Sequence, residues 1–485
     1  MLKILHVFGI CLFFISCNSW LTIDPKDQIA EEDLFSTADG FYTQLDGVYK
    51  SMATQGMYGQ ELSWGFLDVL AQYYNTSETN NRAYKEAAQY GYDIARVKSI
   101  TKKFWTEGFN IIANCNVLIK HALSVDSTLF SLEERERNLI LGEAYGARAL
   151  MHFDLLRLFA PSMKQNSKAK VLPYVKDFPV YFPEKVTSEV FLENVISDLE
   201  KAHDLVKEYD WNKMERVRDL NYRLELASLE GNRFLEYRGY RLNFWAIKCL
   251  LARVYMYQGN EQKALEYAQE IIKLHEEEDW ADFTSRDDVE KESNFKYYDD
   301  VYFALYNNEL KDYPNGLFEE EHFLCMQDLN GLFSDVDKKY DYRYLAWEEH
   351  PKYNEEVMLP QRVKEVVVGK GRFGSKMIPM IRLSEMYYIA AEAIYNDNPE
   401  LAQKYVYRVA RARGSRAGVP GYTTKDEFIK NVILKDLRRE VYGEGQLFFF
   451  YKRHHLPIIV SGRTTRILNE EFVLPTPEKD EQISM

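Results

Sequence analysis

The feature that most constrains the fold is a pair of helical patterns joined by a short break, within Asn243–His275. In the first pattern apolar residues recur at steps of three and four, which is the spacing of one helical face, at Phe244, Ile247, Leu251 and Val254. Gly259-Asn260 ends this pattern as a helix C-terminus does, and a second amphipathic pattern follows. Small residues on both sides of the break, Ala252 and Ala264, let two helices approach closely. The segment is typical of a tetratricopeptide-like helical hairpin.

The same layout recurs elsewhere in the chain. Residues 382–398 and 399–414 form a second pair, with Ala391 before the turn and Ala402 after it, and residues 141–161 form a partial third copy. Such a hairpin buries its apolar face only against stacked neighbours, so the copies predict one shared core. Because the copies are far apart in sequence, we expect a mostly α-helical frame with long irregular loops and short strands inserted between its units.

The longest insertion covers residues 276–379 and is rich in tyrosine, phenylalanine and tryptophan. It has no sustained helical period, and it is interrupted at Pro314, Gly316, Gly331, Pro351 and Pro360. Residues 301–305 read as a strand. We therefore expect irregular structure that decorates the helical frame.

Other segments have simpler patterns. Helical periods predict further helices at 104–122, 187–209 and 426–443. Polar or unpatterned composition predicts loops at 75–92 and 447–455.

Residues 1–16 have the pattern of a secretory signal, with Lys3 followed by an apolar run from Ile4 to Ile15. The run is too short to span a bilayer. Ser16 directly before Cys17 is the arrangement of a bacterial lipobox, which predicts cleavage before Cys17 and lipid on its thiol. The alternative is an ordinary cleaved signal followed by an incidental cysteine.

Charge and cysteine content exclude several classes. The formal net charge of −14 argues against a nucleic-acid partner. Apart from Cys11 and Cys17, three cysteines remain, Cys115, Cys249 and Cys325, and no CxxC motif is present. An odd number without such spacing predicts no disulfide framework.

The motifs of catalysis are missing from the sequence. It has no GxSxG, P-loop or HExxH pattern, and Asp335, Asp337 and Asp341 lack the glycine and closing glutamate of a calcium loop. Arginines near the end of the 399–414 helix, including Arg413, offset the helix dipole and are interpreted as structural. We expect no catalytic residue, no metal and no cofactor.

Carbohydrate binding needs different residues. Aromatic rings cover the apolar face of a sugar, and amide or charged side chains satisfy its hydroxyls. Aromatic residues in polar, loop-like segments are therefore the candidates for ligand contact, and these are Trp64, Tyr73, Tyr74 with Asn75, Trp280 and Trp347.

Several short motifs occur in a specific order along almost the whole chain. They are Cys17, Gly47 with Tyr49, Trp105 with Asn114, Arg148-Ala149 with Phe153, Ala252-Arg253, residues 381–393, residues 409–414, Arg439-Glu440, Glu444-Gly445, Arg453 and residues 474–477. In this order they resemble the SusD/RagB family of outer-membrane lipoproteins, although Leu447 and Phe450 replace an arginine and an aspartate that are usual there.

The resemblance implies a mostly α-helical single domain over residues 17–485, with four tetratricopeptide-like helix pairs and a ligand site built from inserted loops. It implies a non-enzymatic protein that captures glycan and sits as a lid on a SusC-like TonB-dependent transporter, held to the outer membrane by lipid. Ligand residues in this family come from variable loops, so none is carried over.

Two other functions stay open from the sequence. A helical-repeat frame also suits a peptide or protein partner, with ligand on the grooves around 243–275. A secreted glycosidase would need two carboxylates at a set separation, for which 276–279, Asp299-Asp300 and 319–321 offer candidates.

Overall fold

The computed structural model describes residues 31–77, 79–165, 168–180, 183–212, 233–278, 281–292, 294–313, 325–326, 329–350, 354–360, 362, 376–418, 421–422, 424–459, 465–466 and 470–478. The predicted signal segment 1–16, Cys17 and Trp280 lie outside these residues.

Helices dominate the described part of the chain. They are α1 (Glu31–Leu34), α2 (Ala38–Met52), α3 (Phe66–Leu70), α4 (Arg82–Ala87), α5 (Ala95–Ser124), α6 (Glu134–Phe159), α7 (Ser188–Asn212), α8 (Phe244–Gln258), α9 (Glu261–Glu278), α10 (Arg286–Glu292), α11 (Leu329–Leu332), α12 (Asp335–Tyr340), α13 (Leu383–Ile394), α14 (Pro399–Ala412), α15 (Lys425–Phe428), α16 (Leu434–Glu440) and α17 (Gln446–His454).

Eight long helices form the frame, and each packs against the next in chain order, from α2 through α5, α6, α7, α8, α9 and α13 to α14. They make four successive pairs. The prediction of a mostly α-helical, tetratricopeptide-like scaffold is confirmed. The tight packing has a clear cause at the α8–α9 interface, where Ala252, Ala264 and Ala268 are fully buried and keep the two helices close.

Local capping explains why the central hairpin begins and ends where it does. The Asn243 side chain accepts hydrogen bonds from the backbone N–H groups of Trp245 and Ala246, both at 3.0 Å. Such a cap contributes about 1 kcal/mol. At the other end of α8, Gly259 has φ +91°, a left-handed conformation that glycine adopts without strain. Asn398 caps α14 in the same way, before a proline at the first helical position.

Strands are short and come in antiparallel pairs. Those in the described residues are β1 (Tyr74–Asn75), β2 (Leu172–Pro173), β3 (Lys185–Val186), β4 (Val301–Tyr306), β5 (Cys325–Met326), β6 (Trp347–His350), β7 (Asn354–Pro360), β8 (Met377–Arg382), β9 (Ile458–Ile459) and β10 (Thr465–Arg466). The pairs are β1–β5, β2–β3, β4–β8, β6–β7 and β9–β10. The strand expected at 301–305 is confirmed. Since β8 ends at Arg382 and α13 begins at Leu383, the β4–β8 pair attaches the insertion directly to the frame.

Two local predictions were wrong. The segment 75–92 contains α4, which Asn81 caps, and 447–455 lies almost entirely in α17. The helix expected at 426–443 is confirmed over residues 425–440, where a π-helical turn at Ile429–Ile433 joins α15 to α16. In each case tertiary burial decides the conformation: Tyr84, Phe428 and Phe448 are all fully buried.

A central ion-pair network joins the insertion to the C-terminal helices. Within the part of the chain that the structure describes, it consists of five arginines and six carboxylates: Arg343, Arg362, Arg382, Arg413, Arg439, Asp300, Asp337, Asp341, Asp436, Glu440 and Glu444. Arg343 lies 2.7 Å from Asp341 and 2.8 Å from Asp436. These groups are buried, so pairing is what makes their burial tolerable. Asp337 and Asp341, considered above for calcium, are engaged with arginines instead.

The apolar core runs through the frame and includes Trp105 and Trp245, which are almost completely buried. Cys115 and Cys249 are free thiols inside it. Within the described residues, no helix combines the length and the apolar character that crossing a bilayer requires.

Candidate functional site

Four of the aromatic residues expected to contact a ligand lie together, but inside the protein. Trp64, Tyr73, Tyr74 and Trp347 are 6%, 1%, 1% and 8% exposed. The Trp64 indole N–H donates to the Gly59 carbonyl at 3.1 Å, and the Tyr74 hydroxyl donates to the Trp64 carbonyl at 2.8 Å.

These residues converge on Tyr442. The ring centroids of Tyr73, Tyr74 and Trp347 lie 5.5, 6.2 and 4.4 Å from that of Tyr442. Edge-to-face and tilted contacts at such distances are ordinary aromatic packing. The sequence led us to expect these four rings to be open to solvent. The structure instead shows them packed in the core.

Asn75 is half-buried at the end of the same segment. Its side-chain oxygen accepts hydrogen bonds from the Ser77 backbone N–H at 3.0 Å and from the Ser77 hydroxyl at 2.7 Å. This is a local turn that its own side chain closes. A ligand role for Asn75 and for Trp280 stays a prediction.

The site that the structure offers instead is a cavity of about 770 Å³. Three segments distant in sequence form its walls: one face of α2 around Asp46 and Lys50, the turn at 236–241, and the end of β4 with the residues that follow it. A volume of this size lies in the range of small-molecule sites.

Two stacked tyrosines form one wall of the cavity. The ring centroids of Tyr237 and Tyr306 are 6.0 Å apart, and the ring planes are inclined by only 14°. Tyr306 is 41% exposed, one of the most exposed large apolar side chains among the described residues. Its hydroxyl donates to the Asn308 side-chain oxygen at 3.1 Å. Part of the Tyr306 side chain therefore stays exposed at this wall of the cavity.

Tyr306 is positioned by strand pairing. Residues 301–305 of β4 are all buried, and Tyr306, the last residue of β4, pairs with Met377 of β8. The strand is fixed at its start because Asp300 lies 2.8 Å from Arg382 of the central ion-pair network. The sequence thus ends a buried strand with an exposed tyrosine at the cavity.

Tyr237 is positioned by the residue after it. Arg238 is buried and makes a two-point contact with Asp210, at 2.8 and 2.7 Å, and a third contact with Glu143 at 2.7 Å. Tyr237 has φ +57°, a left-handed conformation that costs a non-glycine residue about 1 kcal/mol or more. Anchored backbone holds Tyr237 in this strained conformation at the cavity wall.

Polar side chains that follow Tyr306 form part of the cavity rim. The Asn307 amide donates to the Ala53 carbonyl at 2.8 Å and to the Tyr313 hydroxyl at 2.7 Å, and its oxygen accepts from the Glu309 backbone N–H at 2.8 Å. These bonds fix the turn after β4. The exposed side chains of Asn308 and Glu309 then face the cavity.

The base of the cavity is held by a buried charged group. The Tyr49 hydroxyl donates to Glu143 at 2.5 Å, and the Arg241 guanidinium donates to the same carboxylate at 2.8 Å. Burial raises the pKa of Tyr49 well above its usual value, and Glu143 raises it further. Tyr49 therefore stays a neutral hydrogen-bond donor at physiological pH.

Sequence reasoning missed this site although part of its signal was present. Tyr306 directly follows the strand predicted at 301–305 and precedes Asn307 and Asn308, the same aromatic–amide pattern that singled out Tyr74 and Asn75. Tyr237 gave no signal, because the charged segment before the central hairpin has no clear period.

Known proteins resemble this chain in sequence over limited stretches. The SusD family model matches residues 353–475. SusD-like protein P2 of Formosa agariphila is 25% identical over 270 residues, which is 54% of this chain and 44% of that protein. The chain spans less than half the length of the curated relatives it matches.

Solved structures resemble it over almost its whole length. A SusD superfamily protein from Bacteroides thetaiotaomicron has a TM-score of 0.65 and 22% identity, covering 90% of this chain and 92% of that one. Surface glycan-binding protein A from Bacteroides uniformis has a TM-score of 0.63 and 18% identity, covering 91% and 96%. These likenesses show a shared fold.

Proposed function

The chain belongs to the SusD/RagB family, and from that premise we propose that it is a non-catalytic, cell-surface protein that binds a glycan and passes it to a SusC-like TonB-dependent transporter. The single observation that carries glycan binding is the cavity with the stacked Tyr237–Tyr306 wall and its polar rim.

The chemistry of this cavity suits a sugar. A pyranose has an apolar C–H face and a rim of hydroxyl groups. The exposed part of Tyr306 would cover the apolar face, the Asn308 amide would donate and accept hydrogen bonds at the rim, and the neighbouring carboxylates would accept them. Relatives of the fold support the same class, since one neighbour is named a SusD-like carbohydrate binding protein and another a surface glycan-binding protein.

The N-terminal segment supports a location at the outer membrane. We propose that lipid on Cys17 anchors a single domain over residues 17–485 at the cell surface. Labelling of cells with a fatty-acid analogue tests this, because Cys17→Ser should abolish incorporation of the label into the protein.

The contribution of Tyr306 to glycan affinity can be worked out from its exposed area. A tyrosine buries roughly 200 Å² when fully covered. The 41% of Tyr306 that is exposed is then about 80 Å². At about 25 cal/mol per Å², a sugar that covered this area would gain about 2 kcal/mol, or about 30-fold in affinity.

The test is affinity electrophoresis of the lipid-free protein through gels that contain plant, host and microbial polysaccharides, neutral and acidic. Retardation by one polysaccharide is expected, and the double variant Tyr237→Ala/Tyr306→Ala should lose it. Trp211→Ala is the matched control, because Trp211 is 55% exposed but does not line the cavity.

Three outcomes would contradict the proposal. Retardation by none of the polysaccharides would overturn glycan binding, and equal loss in Trp211→Ala would place the sugar elsewhere. Release of new reducing ends from a retained polysaccharide would contradict the absence of catalysis and favour the glycosidase alternative.

A further inference from the structure

Among the described residues, the cavity rim carries three carboxylates that form no direct ion pair with a cation. Asp46, Glu236 and Glu309 line the cavity, and within the described part of the chain none of the three forms an ion pair. Their side chains are exposed or half-buried, so they reach a ligand in the cavity. Carboxylates in this position accept hydrogen bonds from sugar hydroxyls without any change of charge state.

Among the described residues, the cations near the cavity are fewer than these three carboxylates or are already paired. Arg241 is paired with Glu143 at 2.8 Å and also donates to the Phe234 carbonyl at 2.8 Å. Because Arg238 and Asp210 complete that buried group, its two arginines and two carboxylates balance. Lys50 lines the cavity, and the Lys376 ammonium lies 5.9 Å from the Tyr306 ring centre.

Among the described residues, the carboxylates of Asp46, Glu236 and Glu309 outnumber the ammonium groups of Lys50 and Lys376 by one, in a protein whose formal net charge is −14. Asp46 and Glu236 interact with each other across the rim: desolvation raises the pKa of Asp46, Arg241 lowers it, and Glu143 and Glu236 raise it. A carboxylate or sulfate group on a ligand would add like charge at this point. Like charges placed together across an interface are a strong source of discrimination between ligands.

We infer that the carboxylates of Asp46, Glu236 and Glu309 make the cavity selective for uncharged stretches of glycan and reject glycans that carry carboxylate or sulfate groups. The inference rests on the proposed function and names the ligand class of the same site.

The test compares one polysaccharide in two charge states. The neutral polysaccharide that best retards the protein is oxidised at its C6 hydroxymethyl groups to carboxylates, so that backbone and linkages stay the same. Affinity for the oxidised form should fall at least about tenfold, the size expected for unscreened like charges near a surface. High salt should restore part of the loss, because salt screens charges at the rim.

The variant Asp46→Asn/Glu236→Gln/Glu309→Gln should bind both forms with nearly equal affinity. Its matched control neutralises three exposed carboxylates that do not line the cavity, Glu208→Gln/Asp397→Asn/Glu400→Gln, and should keep the discrimination. The control has the same net charge as the variant and therefore separates a local effect from a global one.

The outcomes are distinguishable. Equal binding of both forms by the unaltered protein would overturn the selectivity and leave glycan binding intact. The same conclusion would follow if an acidic polysaccharide were the best ligand and Tyr237→Ala/Tyr306→Ala lost its binding. Restoration by the control triple variant would also overturn it. Binding of no polysaccharide in either form would overturn the proposed function itself.

Discussion

Arg413 should be the residue whose loss most weakens the join between the insertion and the frame. It is fully buried, and its guanidinium donates to Glu440 at 3.1 Å and to the Tyr342 hydroxyl at 3.2 Å. It also contacts Asp300, the residue before β4. We expect Arg413→Leu to destabilise the protein strongly, because it removes a cation that two buried carboxylates share.

The size of this destabilisation follows from the ion-pair partners that Asp300 and Glu440 retain. Without Arg413, the direct ion pairs that remain to these two carboxylates among the described residues are Asp300–Arg382 and Glu440–Arg343. Breaking a buried ion pair by removing one partner costs about 3–5 kcal/mol. With an m-value of about 3 kcal/mol per molar urea, a loss of about 4 kcal/mol lowers the midpoint of urea unfolding by about 1.3 M. Arg413→Lys keeps the charge but not the planar guanidinium, so this variant should lose an intermediate amount of stability.

The assay is urea unfolding at pH 7, followed by circular dichroism. Arg416→Leu is the matched control, because Arg416 is exposed on the same loop and stacks on the Tyr340 ring at 3.5 Å. Its midpoint should move by less than about 0.3 M, as surface substitutions usually cost within about 0.5 kcal/mol. If Arg413→Leu moved the midpoint no further than Arg416→Leu, the network would not hold the insertion in place.

Two further predictions concern buried titratable groups. Burial raises the pKa of Glu61 from 4.5 to about 7, against lowering by hydrogen bonds from Tyr84 and Phe66. The contribution of the protonated Glu61 carboxyl to the free energy of unfolding is then complete below pH 4.5 and is lost as the pH rises through 7. For a pKa shift of about 2.5, this loss is about 3 kcal/mol. Glu61→Gln should therefore lose less stability than the unaltered protein between pH 5 and pH 8 in urea unfolding, and parallel pH curves would refute this. Burial likewise raises the pKa of Cys115 to about 12, so Cys115 and Cys249 should react with iodoacetamide only in denaturant. Modification of either of these two residues in the native protein at pH 8, located by mass spectrometry of peptides, would contradict their placement.

The frame could be predicted because its signals are local. Period, caps and turn residues of α8 and α9 lie within one stretch of chain, with Asn243 and Gly259 at the positions that the rules of helix ends require. The motif 447–455 could not be recognised as a helix, since three consecutive phenylalanines have no helical period. There the conformation depends on Gly445, whose φ is +66° and whose added Cβ would lie 2.2 Å from the Leu62 carbonyl oxygen.

The site could not be predicted because exposure is a property of the whole fold. Tyr73 and Tyr74 stand beside a polar segment, yet that segment folds back as α4 and Tyr84 bonds to Gln60 at 2.7 Å beneath it. The cavity itself combines residues 46–50, 236–241 and 304–309, which no local pattern links. A site of this kind becomes visible only when the segments are placed together.

There is a physical reason why the frame could be predicted from the sequence and the site could not. Residues that carry the family resemblance, among them Arg382, Arg413 and Glu440, are buried ion pairs, and each needs an exact partner to offset its desolvation. Their network fixes the start of β4, and β4 in turn presents Tyr306. Tyr306 and the rim carboxylates are instead exposed or half-buried, so they carry a smaller desolvation cost. On the proposed function, the motif residues therefore specify where the cavity wall stands, and we expect the exposed residues on that wall to determine which glycan binds.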